Sequence, residues 1–287
     1  MRLVILTSLT MLAFAANSVL TRLGVEDGGL APLGFAVIRT AAGAAMLGLI
    51  VLWRSKRLAL RAHPVGVLSL ATYMIGFSVA YQYLDAGLGA LILFGVVQVT
   101  MLFAAQMRGD RLGLRKGLGA LLAFAGLGVV LWPSDAAATG VIGATGAMIA
   151  AGLGWAVYSI SGRHAVDPLA TTAANFLWCL PLVAVPALAG LTGPGGDAPA
   201  LGVAVAVLCG AVTSGLGYAL WYHVLPQIPQ TNAAIVQLSV PVLAAAAGAL
   251  WLAEPLTLRL VLGGAAVLLG IGLATTTVVR PRANYPA

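Results

Sequence analysis

Asp110-Arg-Leu-Gly-Leu-Arg115 and Glu254-Pro-Leu-Thr-Leu-Arg259 follow one pattern, an acid with an arginine five residues on. Position 254 lies 144 beyond position 110, and the same offset of 144 carries Gly119 onto Gly263 and Gly126-Leu-Gly128 onto Gly270-Ile-Gly272. Further upstream, Arg22 and Arg163 close matching apolar stretches, and Pro32 and Pro168 open the stretches that follow. On that register Arg39 answers to Asn175. The chain is therefore read as two copies of one unit.

The stretches between these marks are apolar. Of 287 residues, 61% are hydrophobic and 8% charged, with mean hydropathy +1.01. A soluble domain carries about 25% charged residues, and so few charges cannot cover a soluble globule of this length. The same composition excludes disorder. Long continuous apolar runs, without a period of two, exclude an outer-membrane barrel. What remains is an all-α polytopic membrane protein.

A spanning helix needs roughly 20 residues, and the apolar runs between charges and Pro/Gly clusters number ten. They cover residues 3–22, 31–53, 64–83, 87–107, 114–132, 141–162, 168–190, 200–223, 231–252 and 257–279. The weakest separations fall near Asp85 and at Glu254-Pro255. The organisation expected is a first repeat over 1–134, a second over 141–280, and a cytoplasmic tail over 281–287. Five spans per copy is an odd number, so the second copy sits upside down. Two inverted five-helix repeats are a signature of secondary transporters, with the substrate site between the halves.

Charge placement sets the orientation. With the N-terminus inside, Arg2, Arg54, Lys56, Arg57, Arg61, Arg108, Arg111, Arg115, Lys116, Arg163, Arg280 and Arg282 are all cytoplasmic. Arg22 and Arg259 fall outside, and Arg39 lies within a span. Glu26, Asp27, Asp85, Asp135, Asp197 and Glu254 fall outside. This asymmetry explains the net charge of +7 without a nucleic-acid partner. The partner it implies is the lipid bilayer. Met1-Arg2 and the stretch ending at Ala13-Phe14-Ala15 have the outline of a signal peptide, but removing it would break the match between the first and sixth spans. Cys179 and Cys209 lie in apolar runs and read as packing residues, with no metal spacing and no disulfide framework. Nothing in the chain sets an oligomeric state, and a monomer suffices.

The combined pattern resembles the EamA family of the drug/metabolite transporter superfamily. The first repeat carries it in Asn17 with Arg22, Pro32 with Arg39, Tyr81, Leu84 and Ala90, and Asp110 with the glycine-rich fifth span. The second carries it in Trp155 with Tyr158, Leu225 with Ala233, Ser239-Val-Pro241 and Glu254-Pro255. The first copy departs from the family in having Val97-Gln98 in place of the usual proline, and Asp110 in place of glutamate. Within the family the chain is most similar to bacterial aromatic amino-acid exporters. The resemblance implies ten helices, the bacterial inner membrane, and export of small metabolites, with aromatic amino acids and methionine favoured.

Polar groups in mid-membrane usually face a cavity or another helix. Arg39 either meets a substrate carboxylate, caps carbonyls, or snorkels outward to Asp27 or Glu26. Asn17, Gln98, Asn175, Gln237 and Ser239, with Thr213 and Ser214, either touch a zwitterionic substrate or bond neighbouring helices, a contact of about 0.6–2 kcal/mol. Tyr73 and Phe77 share a face of the third span with Tyr81, Trp155 and Tyr158 share one of the sixth, and Tyr218 lies in the eighth. These rings either line the cavity or belong to an interfacial belt, and Tyr73, Phe77, Trp155 and Tyr158 lie too deep for a belt. Trp53, Trp132, Trp251, Trp221 and Tyr222 read as an interfacial belt, Trp178 less well, and Pro181, Pro186 and Pro241 as kinks.

Near the middle of the spans there is no Asp, Glu, His or Lys. That disfavours a tightly proton-coupled pump and a cation exporter. No catalytic constellation, Walker loop or metal set is present, so no enzyme, metal or cofactor is expected. The reading is an alternating-access exporter of zwitterionic amino acids by facilitated diffusion. Its rivals are an exporter of another neutral metabolite or drug, a proton-coupled antiporter, a channel, and a membrane-embedded enzyme.

Overall fold

The computed structural model describes residues 1–56, 61–107, 114–131, 139–162, 165–190, 199–228 and 236–275. The Asp110 end of the repeat, Trp132, Arg163 and the 281–287 tail lie outside them. The described residues are helical, without strands: α1 (Arg2–Arg22), α2 (Pro32–Ser55), α3 (Pro64–Ala80), α4 (Ala86–Met107), α5 (Leu114–Leu131), α6 (Thr139–Gly162), α7 (Pro168–Leu188), α8 (Ala200–Gln227), α9 (Ser239–Trp251) and α10 (Leu258–Thr275). Five segments are long and apolar enough to cross a membrane, Arg2–Asp27, Pro32–Ser55, Gly140–Gly162, Pro168–Leu188 and Ala200–Gln227, and the rest are shorter apolar helices. Side chains such as Leu12, Phe103, Leu121, Phe124, Leu262 and Leu269 stay exposed. So broad an apolar exterior belongs in lipid.

Local chemistry marks the ends. Pro32, Pro64 and Pro168 open α2, α3 and α7, where a missing N–H costs nothing. Asp167 caps α7 by accepting from the Ala170 N–H at 3.1 Å. The weak separation at Asp85 is a true break between α3 and α4, and that at Glu254-Pro255 separates α9 from α10. Pro241 sits in the first turn of α9 rather than interrupting it, while Pro181 and Pro186 lie inside α7.

Close approach of helices depends on glycine. A Cβ on Gly126 would lie 2.7 Å from the Gly263 carbonyl, and one on Gly270 would lie 2.6 Å from the Gly119 carbonyl. As α5 advances from 119 to 126, α10 therefore runs back from 270 to 263, so the two are antiparallel. Gly43 meets Phe176 and Arg54 pairs with Asp167, so α2 and α7 are antiparallel too. Packing elsewhere pairs α3 with α6, α1 with α8, α4 with α6, and α1 with α9.

α8 is not a regular α-helix. Its ladder widens to π over Cys209–Leu216, a distortion common at functional sites. Gly210 lies there against α2, where a Cβ would come within 2.3 Å of the Arg39 carbonyl.

Candidate functional site

Between the two ends of the bundle, α1, α3, α4, α6 and α8 leave a cavity lined by Phe14, Asn17, Ser18, Tyr73, Phe77, Leu93, Phe94, Trp155 and Tyr218. Its free volume is about 10 Å³, about the room one water needs. The rings meet edge to face or tilted. Tyr73 stands 5.1 Å from both Phe77 and Trp155, Trp155 lies 4.9 Å from Tyr218, and Phe14 lies 5.8 Å from Trp155. The series continues to Tyr81 at one end and to Tyr158 and Tyr222 at the other.

Behind this wall lies Arg39, fully buried. Its Nη2 donates to the Tyr73 hydroxyl at 2.9 Å and its Nε to Ser214 Oγ at 3.0 Å. Its Nη1 has no hydrogen-bond partner. The guanidinium carbon lies 5.2 Å from the centre of the Tyr73 ring and 4.9 Å from that of Phe77. Such cation–π contacts contribute about 2 kcal/mol when desolvated. No acidic side chain among the described residues pairs with it. The outward pairing with Glu26 belongs to Arg22 instead.

Asn17 extends the network. Its Nδ2 donates to the Tyr73 hydroxyl at 3.0 Å, and its Oδ1 accepts from the Cys209 thiol at 3.0 Å. Thr213 Oγ1 lies 3.1 Å from that oxygen and 2.7 Å from the Cys209 carbonyl. The π segment thus brings Cys209, Thr213 and Ser214 to face Asn17 and Arg39. Phenol, amide, hydroxyl and guanidinium converge here in an apolar setting, which suits a small carboxylate or zwitterion more than a phosphate.

Of the residues singled out from sequence, Asn17, Tyr73, Phe77, Trp155 and Tyr218 line the cavity, and Arg39 stands directly behind it. Tyr158 lies one ring away. Asn175 holds the start of α3, its Oδ1 accepting from the His63 N–H at 3.3 Å. Gln98 and Gln237 are buried but do not line the cavity. Ser239 donates to the Val236 carbonyl at 2.7 Å. Phe14, Ser18, Leu93 and Phe94 were not singled out. The i, i+3, i+4 spacing of Phe14, Asn17 and Ser18 is the one signal that points to part of this set.

Trp221 and Tyr222 do not form a belt. Trp221 is buried 5.8 Å from Phe14, and Tyr222 covers Gly162, because both face α1 and α6 rather than lipid. Trp53 and Trp251 are exposed, as a belt requires.

Each end of the bundle carries a charged contact between the first five helices and the last five. At one end Arg22 pairs with Glu26, lies 3.9 Å from Asp85 and 3.7 Å from Glu254, and donates to the Tyr81 carbonyl at 3.0 Å. Both Glu254 oxygens accept from the Ala86 N–H, at 2.8 and 2.9 Å, capping α4. Burial pushes the Glu254 carboxyl up; the Ala86 N–H opposes this, Asp85 adds to it, and Arg22 counters it. At the other end Arg54 pairs with Asp167, both side chains well exposed.

Comparison with known proteins agrees with this architecture. The family model described as "EamA-like transporter family" matches residues 1–132 and again 139–276. The chain is 46% identical over 292 residues to the uncharacterized protein PA1977 of Pseudomonas aeruginosa, covering all of this chain and 97% of that one. It is 28% identical over 262 residues to an uncharacterized transporter of Archaeoglobus fulgidus, covering 88% and 90% of the two chains. One crystal structure superposes with a TM-score of 0.68 at 21% identity, over 96% of this chain and 97% of that one, and shares the fold. The helical membrane architecture and the twofold match along nearly the whole length lead to one conclusion: the chain belongs to the EamA-like transporter family.

Proposed function

We propose that this transporter moves small zwitterionic amino acids, aromatic ones and methionine foremost, out of the cell across the bacterial inner membrane. One observation carries the reading. Arg39 is a fully buried cation that pairs with no carboxylate among the described residues, set behind a ring-lined cavity. Burying an unpaired charge is costly, and a substrate carboxylate would supply what the fold omits. The rings of Phe14, Tyr73, Phe77, Trp155 and Tyr218 would take an apolar or aromatic side chain or an ammonium group.

Alternating access by two inverted five-helix repeats, residues 1–134 and 141–280, fits the packing. The contact Gly119–Gly270 becomes Gly263–Gly126 when each residue is exchanged for its repeat partner, as a twofold relation requires. The equivalent pairs α5/α10 and α2/α7 are antiparallel, which supports inversion. A cavity of about 10 Å³ fits a state closed to both sides. The orientation adopted has both termini cytoplasmic, with Arg54 and Asp167 on the inner side and Arg22, Asp85 and Glu254 on the outer. Facilitated diffusion is favoured because the sequence places no Asp, Glu, His or Lys near the middle of the spans. Nothing in the reading calls for catalysis or a cofactor.

Flux of labelled phenylalanine, methionine and threonine into proteoliposomes, with and without pH or sodium gradients, tests this. Saturable flux that ignores both gradients is expected. Flux that needs a gradient would replace facilitation with coupling, and flux of none of the three would end the amino-acid reading.

A further inference from the structure

We infer that the Tyr73 hydroxyl is an internal ligand, occupying in the closed state the position that a substrate carboxylate takes, so that the protein selects cargo by whether it can displace its own phenol. Two donors from different helices converge on that one oxygen, Arg39 Nη2 from α2 at 2.9 Å and Asn17 Nδ2 from α1 at 3.0 Å. A phenol oxygen is a neutral acceptor. A guanidinium binds a carboxylate better, because both partners are charged and two parallel hydrogen bonds can form. Arg39 keeps a second donor in reserve, since Nη1 is buried without a partner. The phenol satisfies one arm of the fork and leaves the other open, as expected of a stand-in rather than a final partner.

Tyr73 is also the group between guanidinium and cavity. It lines the cavity, and Arg39 does not. Its ring is held by Phe77 and Trp155, each 5.1 Å away, so the hydroxyl is aimed by packing rather than by the bond to Arg39 alone. The chemistry that displaces it is that of a small carboxylate carrying an apolar group. Neutral analogues such as amides and esters would leave the Arg39–Tyr73 contact intact. This inference rests on the amino-acid reading for its natural cargo, while its carboxylate chemistry can be tested apart from it.

The experiment compares purified wild-type protein with Tyr73→Phe, which keeps the ring and removes the competing oxygen. Thermal unfolding is followed in chloride, in sodium phenylacetate, and in phenylacetamide. The variant is expected to melt below wild type in chloride, to be restored by phenylacetate and not by phenylacetamide, and to bind phenylacetate about tenfold tighter than wild type, the scale of one hydrogen bond to a charged group. Weaker phenylacetate binding by the variant, or equal response to acid and amide, would overturn the inference. Should Tyr73→Phe fail to fold, Trp155 emission in the wild type decides, with Trp155→Phe as the blank. Phenylacetate should change it and phenylacetamide should not, and equal changes would again overturn the inference. Carboxylate-dependent restoration without phenylalanine transport would retain the internal ligand and discard the amino-acid reading. Transport without such restoration would do the reverse.

Discussion

Removing the Glu254 carboxylate should loosen one end of the bundle and not the other. Glu254 sits in the turn between α9 and α10 and reaches across to α4, where both its oxygens accept from the Ala86 N–H. It occupies the notch beside Gly248, where a Cβ would meet the Glu254 carboxylate. Glu254→Ala leaves the first N–H groups of α4 without their acceptor, a loss typical of a helix cap at about 1 kcal/mol. Arg22 loses a partner at 3.7 Å but keeps Glu26 and the Tyr81 carbonyl, so that part adds about 0.5 kcal/mol, the low end for one polar contact. Together these make about 1.5 kcal/mol, a roughly tenfold shift toward the state open at that end. Ser18→Cys, in the cavity wall, reports it by reaction with a membrane-impermeant maleimide added outside, with protein lacking that cysteine as the blank. Labelling about tenfold faster is expected at unchanged helix content. Arg54→Ala, which breaks the exposed pair at the opposite end, should leave external labelling within about threefold, because surface pairs contribute little. Unchanged or slower labelling of Glu254→Ala would refute the idea that this contact holds the outer side shut.

Other expectations follow from the same geometry. Closure at the outer end should strengthen as pH falls, because burial in the closed state raises the Glu254 carboxyl above its ordinary 4.5 and the closed state then holds the proton more tightly. The gain is complete below 4.5 and fades as pH rises through the raised value. The ratio of Ser18→Cys labelling between Glu254 and Glu254→Gln proteins cancels the thiol's own titration and should drift with pH in that direction. Gly210→Ala should force α8 away from α2, costing about 1–3 kcal/mol in stability and raising KM by stretching the Arg39–Ser214 bond, as thermal melts and flux would show. Gly270→Ala, at the α5–α10 contact and outside the cavity lining, should lower the melting temperature with KM unchanged.

The helices were largely legible in the sequence because their limits are chemical. Prolines open α2, α3 and α7, and charges or turns close most spans. Arg39 was legible as an anomaly, since one cation in an apolar helix needs a reason, but its destination was not. Depth along a helix is read from position, whereas the direction a side chain faces depends on neighbours distant in sequence. That is why Trp221 and Tyr222, near the end of α8, read as a belt and prove to be core. It is also why Asn175, which the sequence register sets against Arg39, serves the start of α3 instead of the cavity. Phe14, Leu93 and Phe94 carry no contrast against an apolar background. The π segment over Cys209–Leu216 has no sequence signature of its own, and it turned Cys209 from a packing residue into a hydrogen-bond donor to Asn17.

On the proposed function, the buried Arg39 behind the ring-lined cavity receives the carboxylate of the transported molecule. Uptake of labelled phenylalanine into proteoliposomes, measured for wild type and Arg39→Gln at equal amounts of folded protein, tests it most directly. Saturable uptake is expected for wild type, competed by phenylalanine and not by phenylalaninamide, with loss by at least about tenfold in Arg39→Gln. Undiminished uptake by the variant, or equal competition by acid and amide, would contradict it.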